Sequence, residues 1–125
     1  MDEKTFKTRT KKLAVAIIHQ TEKLPKSLAA DVVGRQLVRS GTSIGANYRA
    51  ACRAKSTVDM INKMKIVEEE SDETEYWLEL LVEENLVPQD QIAHIYKKTD
   101  EILAMTIASI KTPRSRKSKM VNLKS

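Results

Sequence analysis

The residues able to do chemistry are few. Histidine occurs twice, at His19 and His94, and cysteine once, at Cys52. Asp90 precedes His94 by four residues, one helical turn, but a lone His–Asp pair falls short of the three or four ligands that a metal site needs. Cys52 lies between Arg49 and Arg53. Cations at that spacing would acidify a thiol if they sit beside it; otherwise Cys52 is a small apolar residue. Glu68-Glu69-Glu70 supplies carboxylates, yet a di-iron bundle also needs Glu-x-x-His on facing helices, and no such motif occurs. Gly41-Thr42-Ser43-Ile44-Gly45 matches a phosphate-binding loop superficially, because it lies inside a helical pattern and not between a strand and a helix. These residues predict no enzyme, no metal and no cofactor.

Surface charge and apolar residues offer more. At 100° per residue, Arg35, Arg39, Arg49 and Arg53 fall within about 80° of one another. They form a basic stripe about 27 Å long, opposite Leu37 and Ile44. Glu68, Asp72, Glu75, Glu79 and Glu83 form a comparable acidic stripe one helix later. The basic stripe has three readings: pairing with an acidic helix, binding nucleic-acid phosphates, or simple solvation. On the acidic helix, Ile66, Trp77 and Leu80 project away from the main seam, whereas a bundle helix needs one apolar stripe. A second strip marks either an oligomer interface or a locally wider core.

Four helical segments must position these groups. They run from about Thr5 to Thr21, Ser27 to Ala54, Ser56 to Leu86 and Gln89 to Lys111, and breakers such as Leu24-Pro25 and Val87-Pro88 separate them. Each carries a 3–4 seam: Phe6, Thr10, Leu13, Ile17 and Leu24 in the first; Ala30, Val33, Leu37, Ser40, Ile44, Asn47 and Ala51 in the second. Met60, Met64, Val67, Ser71, Thr74, Leu78 and Leu81 follow, then Ile92, Ile95, Thr99, Ile102, Thr106 and Ile110. Gly34, Gly41 and Gly45 sit inside the second helix, each costing about 1 kcal/mol relative to Ala. Close approach of another backbone, or a kink, would explain them. Sustained period-2 alternation is missing, so the fold class is all-α, an antiparallel up-down-up-down four-helix bundle over residues 1–111. Residues 112–125 read as a disordered basic tail.

The formal charge of +5 is uneven. Residues 1–55 hold 12 basic and 4 acidic side chains, residues 56–110 hold 4 and 13, and residues 111–125 hold 6 and none. The body is therefore a sequence dipole, basic then acidic. The tail cations, Arg114, Arg116, Lys117 and Lys119 among them, are the least neutralised phosphate binders. With one cysteine, and with no apolar run longer than the six residues Leu13–Ile18, disulfide and membrane classes are excluded. A cytoplasmic protein without a membrane partner or an evident small-molecule substrate is expected.

Particular strings carry a resemblance. Leu24-Pro25, Gln36-Leu37-Val38-Arg39-Ser40 and Ser43-Ile44-Gly45-Ala46-Asn47-Tyr48-Arg49-Ala50 resemble the central helix of the four helix bundle protein family. That family includes proteins encoded by intervening sequences of bacterial 23S ribosomal RNA genes. The stretch from Lys63 to Leu80, with Glu68-Glu69-Glu70 and Glu75-Tyr76-Trp77-Leu78, looks like its third helix. More distantly, the chain is similar to the accessory variability determinant of diversity-generating retroelements. The resemblance implies a homopentamer without known enzymatic activity; most members have no assigned role. The chain departs from many members at Asn47-Tyr48-Arg49-Ala50-Ala51, where they carry Asn-Ile-Ala-Glu-Gly. The expected function is a non-enzymatic homo-oligomeric bundle acting as a structural or interaction module. The alternative is a nucleic-acid-binding accessory protein, for RNA or DNA, connected with ribosomal RNA or a reverse transcriptase.

Overall fold

The structure, a computed structural model, describes residues 2–111 in full and the backbone alone onward to Lys124. Four helices follow in order: α1 (Glu3–Glu22), α2 (Leu28–Cys52), α3 (Thr57–Glu83) and α4 (Gln89–Lys124). No strand occurs among the described residues. The expected basic tail, with Arg114, Arg116, Lys117 and Lys119, lies outside the fully described residues.

Polar caps start the first three helices. The Asp2 carboxylate accepts from the Thr5 N–H at 2.7 Å, Ser27 Oγ from Ala30 at 3.1 Å, and Ser56 Oγ from Asp59 at 3.0 Å. Each satisfies an N–H that the first turn leaves without a helical partner. α3 stops three residues before its expected end at Leu86. Asn85 adopts a left-handed conformation, φ 58°, which Asn tolerates better than most residues. Its N–H then reaches Val82 O at 3.0 Å and the Leu86 N–H reaches Leu81 O at 2.9 Å. This is the paired closure of a Schellman turn.

The helices pack in a cycle, α1 on α2, α2 on α3, α3 on α4 and α4 back on α1, as the up-down-up-down expectation requires. Phe6, Leu13 and Ile17 meet Leu37 and Ile44, Val67, Leu78 and Leu81, and Ile92 and Ile102 in one core. Polar seam residues join them: Thr10, Ser40, Ser71, Thr74, Thr99 and Thr106 are all buried. Ser71, Thr99 and Thr106 donate to carbonyls four residues back at 2.7–2.8 Å, so their hydroxyls carry no unmet demand.

The glycines of α2 serve close approach. A Cβ on Gly41 would stand 2.5 Å from Ile17 Cδ1 and 3.2 Å from its Cγ2; one on Gly45 would stand 3.1 Å from Thr10 Oγ1. A Cβ on Gly34 meets the end of a half-buried Leu24 side chain, at 2.9 Å. The two sites should therefore respond oppositely to alanine. Gly34→Ala should hold or raise stability by up to about 1 kcal/mol through helix propensity. Gly41→Ala should lower it by about 1–2 kcal/mol through overpacking, and Ile17→Val in the same chain should recover part of the loss. Urea unfolding midpoints measure all three; a stabilised Gly41→Ala variant would contradict the close approach.

Candidate functional site

The basic stripe of α2 does not act as one surface. Arg35 is exposed and pairs with Asp31 within its own helix at 3.2 Å. Arg39 crosses to α3: its guanidinium bonds Glu73 and reaches Glu70 at 3.2 Å, while Gln36 Oε1 accepts from its Nε at 2.9 Å. Glu73 also accepts from the Trp77 indole N–H at 3.2 Å. The hydrogen bond from Arg39 holds the Glu73 carboxyl below its usual range. Glu70 is more buried, and burial raises its carboxyl despite the same cation. The acids that answer Arg39 are thus Glu70 and Glu73, and neither belongs to the acidic stripe read from sequence.

Arg49 and Arg53 are exposed and form no ion pair among the described residues. The α1–α2 register is fixed by Phe6 on Tyr48, ring centroids 4.2 Å apart, and by Thr10 against Gly45. It brings Lys4, Lys7 and Lys11 to the same end of the bundle. Lys7 is paired with Glu3 at 3.4 Å; Lys4, Lys11, Arg49 and Arg53 form no ion pair among the described residues. The lower half of the stripe thereby merges with α1 into a cationic corner.

Ile66, Trp77 and Leu80 are half-buried. Trp77 packs on the core and against Tyr76, with ring centroids 5.0 Å apart. Ile66, Glu73 and Leu80 recur every seven residues, so they share one face of α3 with about 10 Å between neighbours. Arg39 lies against Glu73, and Ser40 Oγ accepts from the Thr74 hydroxyl at 2.9 Å. This register sets Val32, seven residues before Arg39, beside Leu80. An apolar edge thus runs along the α2–α3 seam, interrupted once by the Arg39–Glu73 pair. Val32 is 50% exposed, Tyr76 52% and Leu28 81%. Sequence periodicity missed these three because none belongs to a seam.

Glu75, read as part of the acidic stripe, is buried at 8% exposure. The Tyr96 hydroxyl lies 3.4 Å from its Oε1 and donates to Glu79 Oε2 at 2.7 Å. The Oε2 of Glu75 finds no hydrogen-bond partner among the described residues. Burial, followed by the neighbouring Asp100 carboxylate and then by Asp72, pushes the Glu75 carboxyl up to about 7.

The remaining chemical groups do not converge. Among the described residues no three His, Cys, Asp or Glu side chains meet in a metal-holding arrangement. His19 and His94 are exposed on different helices; Glu22 lies one turn beyond His19 and is equally exposed. Cys52 is half-buried, and burial raises its thiol, with Glu3 adding to the effect. Arg49 and Arg53 are exposed and are not among the causes of the shift, so the condition for an acidified thiol is not met. Gly41 to Gly45 also spells Gly-x-Ser-x-Gly, which arms a serine only on a strand-to-helix elbow. Here Ser43 sits mid-helix and its hydroxyl donates to Arg39 O at 2.7 Å.

Residues 3–108 match the family described as 23S rRNA-intervening sequence protein. The chain belongs to that family. A solved structure from Bacteroides thetaiotaomicron, a protein of unknown function from the S23 ribosomal protein family, superposes with a TM-score of 0.82 at 39% identity. The alignment covers 89% of this chain and 99% of that one. No functionally curated protein matches. No helix among the described residues is long and apolar enough to cross a membrane.

Two outcomes follow. Because the folded Glu75 carboxyl lies above its ordinary 4.5, the fold binds that proton more tightly than the unfolded chain. Its contribution to stability is complete below about 4.5 and is lost as pH rises through about 7. Glu75→Gln, whose amide can donate to Asp100, should therefore stabilise the protein by about 1–3 kcal/mol at pH 8 and flatten the dependence from pH 5 to 8. Urea titrations across that range would contradict this if both proteins lost stability in parallel. Arg39→Ala should cost about 1 kcal/mol, an amount limited by solvent screening and smaller still in 1 M NaCl.

Proposed function

We propose that this family member is a non-enzymatic, self-associating helical bundle, a structural or interaction module whose copies meet along the α2–α3 edge. The observation that carries this is the apolar edge itself. Val32, Tyr76, Trp77 and Leu80 leave a contiguous apolar surface beside a charge cluster in which Arg39 is already paired with Glu70 and Glu73 within the chain. Burying charges that are already paired costs less than burying lone charges. A closed ring of five, the assembly implied by the resemblance, is the form proposed. The free cysteine, Cys52, fits a reducing, cytoplasmic setting.

Sedimentation velocity tests this reading. The protein should sediment well above a 14.2 kDa monomer at micromolar concentration. The double variant Val32→Asp/Tyr76→Asp, altering two exposed side chains, should shift toward monomer with unchanged helical circular dichroism. A monomeric parent chain, or a double variant that stays assembled, would overturn it.

A second reading, a nucleic-acid-binding accessory protein, draws support from the cationic corner of Lys4, Lys11, Arg49 and Arg53. Phosphate contacts there would make binding salt-dependent. Arg49→Glu/Arg53→Glu should then abolish low-salt retention of a single-stranded RNA in a gel-shift assay, while Arg35→Ala, which removes an already paired cation, changes little. Failure of the parent chain to shift the RNA at low salt would end this reading.

A further inference from the structure

The α1–α4 seam holds a cleft of about 300 Å³, at the lower end of small-molecule pockets. Leu13, Ala16, Ile95 and Ile102 give it an apolar floor, and Ala16 is too small to close it. Its rim is cationic. Arg9, Lys12 and Lys98 stand around it, with Glu101 the one carboxylate in the lining. Arg9 and Lys98 share Glu101 at 3.9 and 3.6 Å, contacts longer than hydrogen bonds. One Arg9 N–H is left to Met105 Sδ at 3.7 Å. Lys12 forms no ion pair among the described residues. The rim therefore has more donor capacity and positive charge than the chain itself consumes, directly above a surface that favours hydrocarbon.

We infer that this cleft binds a small amphipathic anion, an alkyl carboxylate of medium chain length. The tail lies on Leu13, Ala16, Ile95 and Ile102. The carboxylate accepts from Arg9 and Lys12, which face it from two successive turns of α1. Charge complementarity selects the head group, since charge-assisted hydrogen bonds to a guanidinium are the strongest available at this rim. The size of the cleft limits the tail. The site lies on the seam between α1 and α4, apart from the α2–α3 edge, so it stands or falls separately from the self-association reading.

Isothermal titration of the full chain with decanoate tests the inference, with 1-decanol and acetate as probes lacking the charge or the tail. Decanoate should bind saturably at one per chain, at least tenfold more tightly than decanol, and acetate should give no measurable heat. Arg9→Gln/Lys12→Gln should weaken decanoate at least tenfold and leave decanol unchanged. Ala16→Met should fill the floor and weaken both. Unfolding profiles of the variants show whether the bundle is retained; if Ala16→Met unfolds, the glutamine pair on exposed positions still decides. Absence of saturable decanoate binding, equal affinity for decanol, or several molecules per chain insensitive to either substitution would overturn the inference. So would a change of sedimentation in Arg9→Gln/Lys12→Gln without decanoate binding to the parent chain, because the cleft would then belong to a contact between copies.

Discussion

Ile17 lies over Gly41, a position of α2 that has no side chain to offer it. At Gly41 the two helices approach so closely that a single added carbon would sit 2.5 Å from Ile17 Cδ1. That closeness positions α1 for the rest of the bundle. Phe6 can stack on Tyr48 at one end, and Thr21 can pack over Gly34 at the other. Drawn toward α2, α1 meets α4 through Ala16 and through long polar contacts. The tight seam and the cleft on the opposite side of α1 are two results of one sequence choice. Helix propensity alone disfavours three glycines in α2; tertiary packing against Ile17 and Thr10 supplies the compensation.

The α2–α3 seam works by a different rule. Ser40 and Thr74 meet inside it, and Arg39 spans its outer edge to Glu70 and Glu73. An exposed ion pair adds little stability. Its larger effect is on what the surface can do. Because Arg39 is already bonded to two carboxylates and to Gln36, it is a poor phosphate ligand, and the apolar residues on either side of it border a cluster that holds no free cation. Charge that looked available in the sequence is consumed in the fold at Arg35 and Arg39 and remains available at Arg49 and Arg53. The pairing is a matter of reach across a seam, and helical angle alone does not encode it.

The helices and the core were legible because both obey one period. Every seam position read on α4 through Ile110 is buried, and so are Phe6, Thr10, Leu13 and Ile17 on α1. The caps at Ser56 and the break at Val87-Pro88 follow from local chemistry. Residues on the flanks were harder. Glu75 stands just off the α3 seam, and Tyr96 and Asp100 of the next helix enclose it. Its angle matches its exposed neighbours Asp72 and Glu79 closely enough that periodicity groups them. Val32 and Leu28 lie off the α2 seam, on the outward side of the helix, where periodicity expects polar residues. The boundary of α3 turned on the backbone of Asn85, whose left-handed conformation ends the helix before the apolar run does.

The core contains hydroxyls where many bundles hold only hydrocarbon. Thr10, Ser40, Ser71, Thr74, Thr99 and Thr106 occupy central positions at or near zero exposure. Exposing apolar surface raises the heat capacity of the unfolded chain, and exposing polar surface lowers it. Each hydroxyl in the seam thus subtracts from a quantity to which each methylene adds. Unfolding this bundle should have a smaller heat-capacity increment than an all-hydrocarbon core of the same length, and a flatter curve of stability against temperature.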